Sequence, residues 1–261
     1  MLTFRDLLTS FRKLELDRSR PVIVHASLSA FGDLHGGAET LLGALLASFD
    51  RVLAPAFTYK TMLVPEAGPE GNAIEYGSGK DTNRMAEFYT LDMPVDKTIG
   101  AIPEALRRHA KARRSSHPIL SFAGIGVDEA LLAQSVSEPL GPIHMLHADQ
   151  GNVLLLGVDH TVNTSVHYAE RVAESKQFTR WALTPNGVVE CPNFPGCSDG
   201  FGVLDTPLQH VTRRVQAGDA TVQAVPLRAL VQTAVDMLAA DPLALLCQRP
   251  DCERCNAVRA G

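Results

Sequence analysis

GNVLLLGV, residues 151–158, is the stretch of this chain that most clearly decides its fold. A short, continuous apolar run bounded by glycine is typical of a strand with both faces buried. Pro21–Val24 (PVIV) has the same character, and Arg51–Ala54 predicts another such strand. Apolar residues at helical spacing predict helices over 3–15, 40–49, 102–112 and 127–133, a helix beginning at Asn163 or Thr164, and a last helix over about 224–240.

The order of these elements favours a layered α/β fold, with a largely parallel central sheet flanked by helices. In the C-terminal third, Trp181–Thr184 and Val188–Glu190 flank Pro185-Asn186-Gly187, and such a turn predicts an antiparallel β-hairpin. Residues 60–98 are rich in glycine, proline and acidic residues without a sustained period, which predicts a long lid or insert. No convincing linker interrupts the chain. We therefore expect a single domain over 1–261, with a cysteine-bearing C-terminal portion over about 181–261.

The composition excludes several classes of protein. Hydrophobic residues make up 45% of the 261, enough for a sizeable core. The 24 basic and 29 acidic residues leave a net charge of −5, which argues against a general nucleic-acid binder. No apolar stretch approaches the roughly 18 residues of a spanning helix, and the charged N-terminus is unlike a signal peptide. We expect a cytoplasmic protein that binds no membrane and no nucleic acid; a homodimer is compatible with the sequence.

His167 and Glu170 lie in the first turns of the helix that follows the 151–158 strand. Their i,i+3 spacing puts them on one helix face, at the end of a sheet where α/β proteins bind ligands. There the imidazole can accept a proton from an attacking amine or hydroxyl, while the glutamate orients it. A surface ion pair is the alternative interpretation. Because no glycine-flanked serine nucleophile is present, we expect general base catalysis without a covalent intermediate on the protein.

Two segments combine hydroxyl residues, glycine and histidine beside apolar runs: HASLSAFG (25–32) and RSSHPILSFAGIG (114–126). Glycine lets a backbone approach a ligand closely, and exposed N–H groups with hydroxyls bind phosphate or amide oxygens. Arg114 offers a guanidinium that can contact phosphate through two bonds. Neither segment is a Walker loop or a dinucleotide fingerprint. They predict either ligand-binding turns or simple turns after buried elements.

All five cysteines lie in the last third of the chain, within CPNFPGC (191–197) and CQRPDCERC (247–255). An odd number of cysteines fits a reducing compartment better than a set of disulfides. Four thiolates in a tetrahedron form a structural zinc site, which is one interpretation; unpaired structural cysteines are the other. The spacing does not choose four ligands among the five, which are Cys191, Cys197, Cys247, Cys252 and Cys255.

A series of short motifs resembles the aminoglycoside 3-N-acetyltransferase family, antibiotic acetyltransferases unrelated to the GCN5 fold. The motifs follow one another over roughly residues 20–175. In chain order they are VHASLS (24–29), GGAET (36–40), GAIPE (100–104), RSSHP (114–118) with SFA (121–123), EPLG (138–141), LLLG (154–157) and NTSVHYAE (163–170).

The resemblance implies an antibiotic-resistance acyltransferase that moves the acetyl group of acetyl-CoA onto the 3-amino group of an aminoglycoside. The acceptor would attack the thioester directly in a ternary complex, with His167 as general base and Glu170 orienting it. An oxyanion-stabilising group would lie near Ser29, Thr58 or Thr164, among which the sequence does not choose.

The resemblance also implies two sets of binding residues. Those for acetyl-CoA would be His25, Ser27, Leu28, Ser29, Arg114, Ser115, Ser116, His117 and Phe122. Those for a polyamine substrate would be Thr58, Tyr59, Asp159, Thr164 and Glu174, with Glu66, Glu70, Glu75 and Asp92 of the 60–98 segment as further carboxylates.

Two departures from the family pattern keep other functions open. Asp159 stands where the family more often has a small residue, and a cysteine-bearing C-terminal region is not typical of the resistance enzymes. The alternatives are acetylation of another amine, such as a natural-product intermediate, and a non-catalytic relative that binds a ligand or partner. A hydrolase that uses His167 to activate water is a third.

Overall fold

The computed structural model describes residues 1–261 and contains two sheets surrounded by helices. The strands are β1 (Val22–Ala26), β2 (Val52–Pro55), β3 (Met62–Leu63), β4 (Arg113–Arg114), β5 (Phe122–Ile125), β6 (Asn152–Leu156), β7 (Phe178–Thr184), β8 (Gly187–Phe194), β9 (Arg213–Ala217) and β10 (Ala220–Pro226). The helices are α1 (Phe4–Arg12), α2 (Gly37–Ser48), α3 (Lys80–Arg84), α4 (Ala101–Arg108), α5 (Asp128–Leu132), α6 (Gly141–Ala148), α7 (Ser165–Val172), α8 (Asp205–Leu208), α9 (Leu227–Ala240) and α10 (Glu253–Arg259). None of these helices combines the length and the apolar character needed to cross a lipid bilayer.

The larger sheet has seven strands in the order β4-β5-β2-β1-β6-β10-β9. Its centre is parallel, because β1 pairs in parallel with both β2 and β6. The outer pairings are antiparallel, so that β5 and β10 run opposite to the other five strands. The predicted layered α/β fold with a largely parallel central sheet is thereby confirmed.

Helices cover both faces of the central strands, which explains why β1 and β6 contain continuous apolar runs. Along β6, Val153 and Leu155 belong to one buried cluster, with α5, α6, α7 and α9. Leu154 and Leu156 belong to a second cluster on the other face, with α1, α2 and α4. Period-two alternation thus supplies both layers of the core from a single strand.

The smaller sheet contains the predicted hairpin. Its order is β3-β7-β8, and all pairings are antiparallel. Thr184 pairs with Gly187, which leaves Pro185 and Asn186 as the two turn residues. The hairpin packs on the core through buried side chains that include Phe178 and Phe194, which face each other at the end opposite the turn. The antiparallel portion in the C-terminal third is therefore confirmed.

Two predicted helices have the wrong bounds. The last helix begins at Leu227, because 220–226 form β10, which pairs with β6 through Val222 and Leu156. Strand and helix are both apolar, so the change of period at Pro226 is hidden in the sequence. The helix predicted over 102–112 ends at Arg108, because Arg113 and Arg114 extend the sheet as β4.

The 60–98 segment has little regular structure, as predicted, but side-chain amides attach it to the rest of the molecule. Asn72 Oδ1 accepts from the Thr179 amide at 2.7 Å, and its Nδ2 donates to the Thr179 carbonyl at 3.0 Å. Within the segment, Asn83 bonds both backbone groups of Val64 at 2.8 Å. The segment therefore packs along β7 and forms a wall beside it.

Candidate active site

A buried histidine–glutamate pair occupies the first turns of α7. Asn163 Oδ1 accepts from the Ser165 amide at 3.0 Å and fixes the turn that starts this helix. His167 Nδ1 and Glu170 Oε2 are 2.6 Å apart, and both side chains are about one-tenth exposed or less. The imidazole also packs edge-on against Phe201, with ring centroids 4.9 Å apart. Since Nδ1 is held by the carboxylate, Nε2 is the nitrogen left for a ligand.

His167 lines a cavity of about 1150 Å³. The walls come from both sheets and from the C-terminal segment. The lining includes His25–Ser29, Tyr59, Met62, residues 98–100, Pro103, Val158, Thr161, Thr164, Arg180, residues 194–199, Arg249 and residues 251–254. A cavity of this size, lined by both apolar and polar side chains, is suited to a small-molecule ligand.

His25, Ser27, Leu28 and Ser29 all line this cavity where β1 ends. Ser27 Oγ and Ser29 Oγ are 3.1 Å apart, and the Ser27 amide is held by the Leu156 carbonyl. Burial lowers the pKa of His25 to about 3, with smaller contributions from His160 and His167. His25 is therefore neutral near pH 7, and its buried Nε2 has no partner within the protein.

The predicted acetyl-CoA residues of the second segment do not line the cavity; of that segment only Leu120 does. Arg114 donates to the carbonyls of Ala56, Leu91 and Met93 and to Ser121 Oγ. Its guanidinium thereby holds backbone groups of the neighbouring loops. The other members are not in the lining either: Ser115 bonds the Phe122 amide, Ser116 is exposed, His117 is buried, and Phe122 packs against Phe57.

His117 has a structural role instead. Its Nδ1 accepts from the amides of Ile119 and Leu120 at 3.1 and 3.0 Å, and its buried Nε2 has no protein partner. Burial lowers the pKa of His117 from its ordinary value of 6.5 to about 4.

This depressed pKa predicts a loss of stability in acid. Between about pH 6.5 and 4 the unfolded chain binds a proton that folded His117 does not, so the free energy of unfolding decreases as the pH falls. In His117→Gln, which cannot titrate, we expect this decrease to be smaller by about 1.4 kcal/mol per pH unit. Urea unfolding at pH 7, 6 and 5 measures both slopes. Equal slopes would show that His117 does not titrate in this way.

The predicted substrate residues divide into two groups. Tyr59 and Thr164 line the cavity, and the Thr164 hydroxyl makes no hydrogen bond within the protein. Thr58 Oγ1 instead donates a buried hydrogen bond to the Pro118 carbonyl at 2.7 Å. Asp159 Oδ1 accepts a hydrogen bond from the Thr161 amide at 2.9 Å. The remaining carboxylates lie outside the lining; they are Glu174, Glu66, Glu70, Glu75 and Asp92.

The ionisable groups that do line the cavity were missed by sequence reasoning. Three are acidic and three are basic: Asp199, Asp251, Glu253, Arg180, Arg249 and Arg254. Except for Arg180 on β7, they flank cysteines of the C-terminal portion. That proximity to the cysteine motifs is the one sequence signal from which they could have been found.

Four cysteines cluster beside the cavity. Their sulfur atoms all lie within 4.8 Å of one another, every side chain is buried, and none forms a disulfide; the four are Cys197, Cys247, Cys252 and Cys255. Cys191 lies apart, in the larger hydrophobic core, where burial raises its pKa to about 12. The structure thus selects four of the five cysteines as a possible set of metal ligands.

Comparison with known proteins identifies relatives of one kind. An aminoglycoside N(3)-acetyltransferase IX of Micromonospora chalcea is 34% identical over 173 residues, which are 61% of this chain and 59% of that protein. A type VII enzyme of Streptomyces paromomycinus is 33% identical over 163 residues, 59% of this chain and 55% of the relative. The chain thus matches somewhat more than half the length of these relatives.

Solved structures share the whole fold. The YokD protein of Bacillus subtilis superposes with a TM-score of 0.80 over 92% of this chain and 94% of its own, at 21% identity. The aminoglycoside acetyltransferase AAC(3)-IVa apoenzyme gives 0.78 over 98% and 96%, at 23% identity. A family model described as aminoglycoside 3-N-acetyltransferase matches residues 23–239, from β1 through nearly all of α9. The resemblance seen in the sequence motifs is confirmed, and this chain belongs to the aminoglycoside 3-N-acetyltransferase family.

Proposed function

We propose that this protein transfers the acetyl group of acetyl-CoA to an amine, with His167 as the general base. The observation that carries the proposal is the 2.6 Å contact between His167 Nδ1 and Glu170 Oε2 on the wall of the large cavity. Relatives named as aminoglycoside N(3)-acetyltransferases support the reaction class. One structural neighbour is described as a binary complex with coenzyme A.

The geometry supports direct transfer in a ternary complex. Glu170 accepts a hydrogen bond from the Nδ1–H group, so that His167 Nε2 carries the lone pair that receives a proton from the attacking amine. The amine nitrogen bonds to the thioester carbonyl carbon, and the tetrahedral intermediate collapses with release of coenzyme A. The proton on His167 then passes to the departing sulfur. No side chain of the protein becomes acylated in this sequence.

Thr164 is the group that we propose for the developing oxyanion. Its hydroxyl lines the cavity three residues from His167 and has no acceptor within the protein, so it is free to donate to a ligand. The other two groups that the sequence left open are less suitable. Thr58 donates to the Pro118 carbonyl, and Ser29 Oγ pairs with Ser27 Oγ.

We place coenzyme A along Ser27–Ser29 and the start of α4. Both line the cavity, and no side chain caps the first turn of α4, so its N–H groups are available to phosphate oxygens. Gly100 brings this turn close to β1: a Cβ there would lie 3.3 Å from the Ala26 carbonyl, at a φ of +108°. A larger residue at this position would separate the two elements.

The first candidate acceptor is the 3-amino group of an aminoglycoside, because the relatives carry that activity in their names. A second candidate is an amine that is not a polycation. Two arginines in the cavity wall, Arg180 and Arg254, favour it, because they would repel the several ammonium groups of an aminoglycoside.

A thiol-release assay tests the proposed reaction. We expect free coenzyme A to appear when acetyl-CoA is mixed with the protein and an accepted amine, and not with an acceptor whose 3-amino group is blocked. Excess acetyl-CoA should also raise the melting temperature. Thiol release without any amine would indicate a hydrolase, and binding without release a non-catalytic relative. Absence of coenzyme A binding would overturn the proposal.

We also propose that Cys197, Cys247, Cys252 and Cys255 hold a structural Zn²⁺. Tetrahedral Zn–S bonds of about 2.3 Å place sulfur atoms about 3.8 Å apart, and the four thiols already lie within 4.8 Å of one another. Four sulfur ligands leave no open position for catalysis. The metal would instead join the loop after β8 to the C-terminal segment, both of which form the cavity wall.

A further inference from the structure

Arg180 is a buried arginine without a counter-ion. Its side chain lies on β7 with only 6% of the residue exposed, and no carboxylate lies within 4.0 Å. Phe178 and Phe194 hold the guanidinium between their rings, at 5.4 and 5.3 Å from the ring centroids. Burial of an unpaired charge is costly, so such a residue calls for a partner that the protein itself does not supply.

The hydrogen bonds of Arg180 leave two of its three side-chain nitrogens without a protein acceptor. Nη1 donates to the carbonyls of Asn72 and Thr179 at 3.1 and 2.8 Å, whereas Nε and Nη2 bond no protein atom. These two nitrogens are not sealed from solvent either, and Arg180 lines the cavity. In Arg114, by contrast, Nε, Nη1 and Nη2 all have protein acceptors.

Arg254 adds a second positive charge to the same part of the cavity. Only its Nη1 has a protein acceptor, the Gly196 carbonyl at 2.8 Å, and it has no salt bridge. Its charge acts on Arg180: burial, together with Arg254, lowers the pKa of Arg180 to about 10. Arg180 and Arg254 thus present two guanidiniums without salt bridges to one cavity, and an anion bound by both would offset their mutual repulsion.

The acidic residues of the cavity do not supply that anion. Asp199 and Asp251 pair with Arg249, at 3.2 and 4.0 Å, on exposed side chains at the rim. Glu253 is exposed as well. Arg180 and Arg254 therefore have no carboxylate partner within 4.0 Å, whereas Asp199 and Asp251 are paired with Arg249.

We propose that the acceptor amine carries an acidic group, a carboxylate or a phosphoryl group, that binds between Arg180 and Arg254. This inference rests on the proposed acetyl transfer and narrows its substrate class. A planar guanidinium with two free donors matches either anion through paired bonds. The phosphates of coenzyme A offer the same chemistry, but the groups that we assign to the donor lie on β1 and α4, whereas Arg180 lies on the small sheet.

Matched amines with and without an acidic group test the proposal. The pairs are glucosamine 6-phosphate with glucosamine, β-alanine with β-alaninamide, and 2-aminoethyl phosphate with ethanolamine. For the full chain we expect kcat/KM in thiol release to favour the acidic member of at least one pair by about tenfold or more, the effect of a hydrogen-bonded charge. Arg180→Gln and Arg254→Gln should each reduce that ratio to less than about twofold. Arg180→Lys should retain part of it.

The ratio within a pair separates recognition from a structural defect, because a poorly folded variant loses activity on both members alike. Arg228→Gln is the matched control and should keep the wild-type ratio, since Arg228 bonds only the carbonyls of His147 and Ala148 outside the cavity. Equal use of both members in every pair overturns the proposal. So does an unchanged ratio with a tenfold higher KM for acetyl-CoA in Arg180→Gln, which would assign the anion to coenzyme A.

Failure of the proposed function would look different. In that case neither these amines nor any aminoglycoside would release thiol. If coenzyme A still binds, calorimetric titration of the three pairs into the coenzyme A complex replaces the kinetic ratio. No preference for the acidic member there also overturns the proposal.

Discussion

His167→Ala should lower kcat by about 10²–10⁴-fold while leaving the KM for acetyl-CoA within a factor of about two. The reason is that His167 Nε2 is the one basic atom that the site presents with a carboxylate behind it, at 2.6 Å from Nδ1. Without it the amine must lose its proton to water. Steady-state thiol release at saturating acetyl-CoA measures the change.

Two further variants make this result specific. Glu170→Gln keeps the size of the side chain but not its charge, so it should lose part of the activity by weakening control of the His167 tautomer. His35→Ala removes an exposed histidine outside the cavity and should behave as wild type. Because His167 is packed against Phe201, the melting temperature of each variant and its increase with acetyl-CoA are measured alongside. Full activity in a folded His167→Ala protein would contradict the assignment of the base.

The centre of the fold was predictable because it depends on local sequence. β1, β2 and β6 are buried on both faces, and a strand in that position is apolar along most of its length. His167 and Glu170 were predictable for a similar reason, since helical spacing alone puts them on one face. The Pro185-Asn186 turn was indicated by residues that suit its backbone.

The outer strands were not predictable, because their pairing is long-range. β9 has mostly exposed, polar residues, and β5 contains a glycine, so neither has a distinctive period. The 114–122 segment was misleading for a different reason: hydroxyl and guanidinium groups that look suited to phosphate are used up on backbone groups of distant loops. The hydrogen-bond partner of a polar side chain depends on the folded structure and cannot be read from the local sequence.

Arg180 is the opposite case, a candidate functional residue that has no distinctive signal in the sequence. In the sequence it is an ordinary charged residue of a half-buried strand. Only the approach of Phe194, Arg254 and the Asn72 loop makes it a buried donor open to the cavity. The proposed acceptor side of the site thus consists of residues outside the sequence motifs.

Loss of one of the proposed zinc ligands should have the largest effect on stability. We expect the wild-type protein to be purified with one Zn²⁺ per chain, and Cys252→Ser to contain little or none. Structural Zn²⁺ contributes about 10–16 kcal/mol of apparent binding energy in small zinc-binding peptides, so even a fraction of it should lower the melting temperature by about 10 °C or more. Elemental analysis and thermal unfolding measure the two quantities.

Cys191→Ser is the matched control for this experiment, because Cys191 is the one cysteine outside the cluster. It should keep its metal, even though a hydroxyl in the core lowers the free energy of unfolding. Replacement of Zn²⁺ by Co²⁺ should give the strong absorption of four thiolate ligands in wild type and in Cys191→Ser. A metal-free wild-type protein that gains no stability from added Zn²⁺ would contradict the proposal. The link to function follows from position: Cys197 and Cys252 line the cavity, so release of the metal should weaken acceptor binding more than coenzyme A binding.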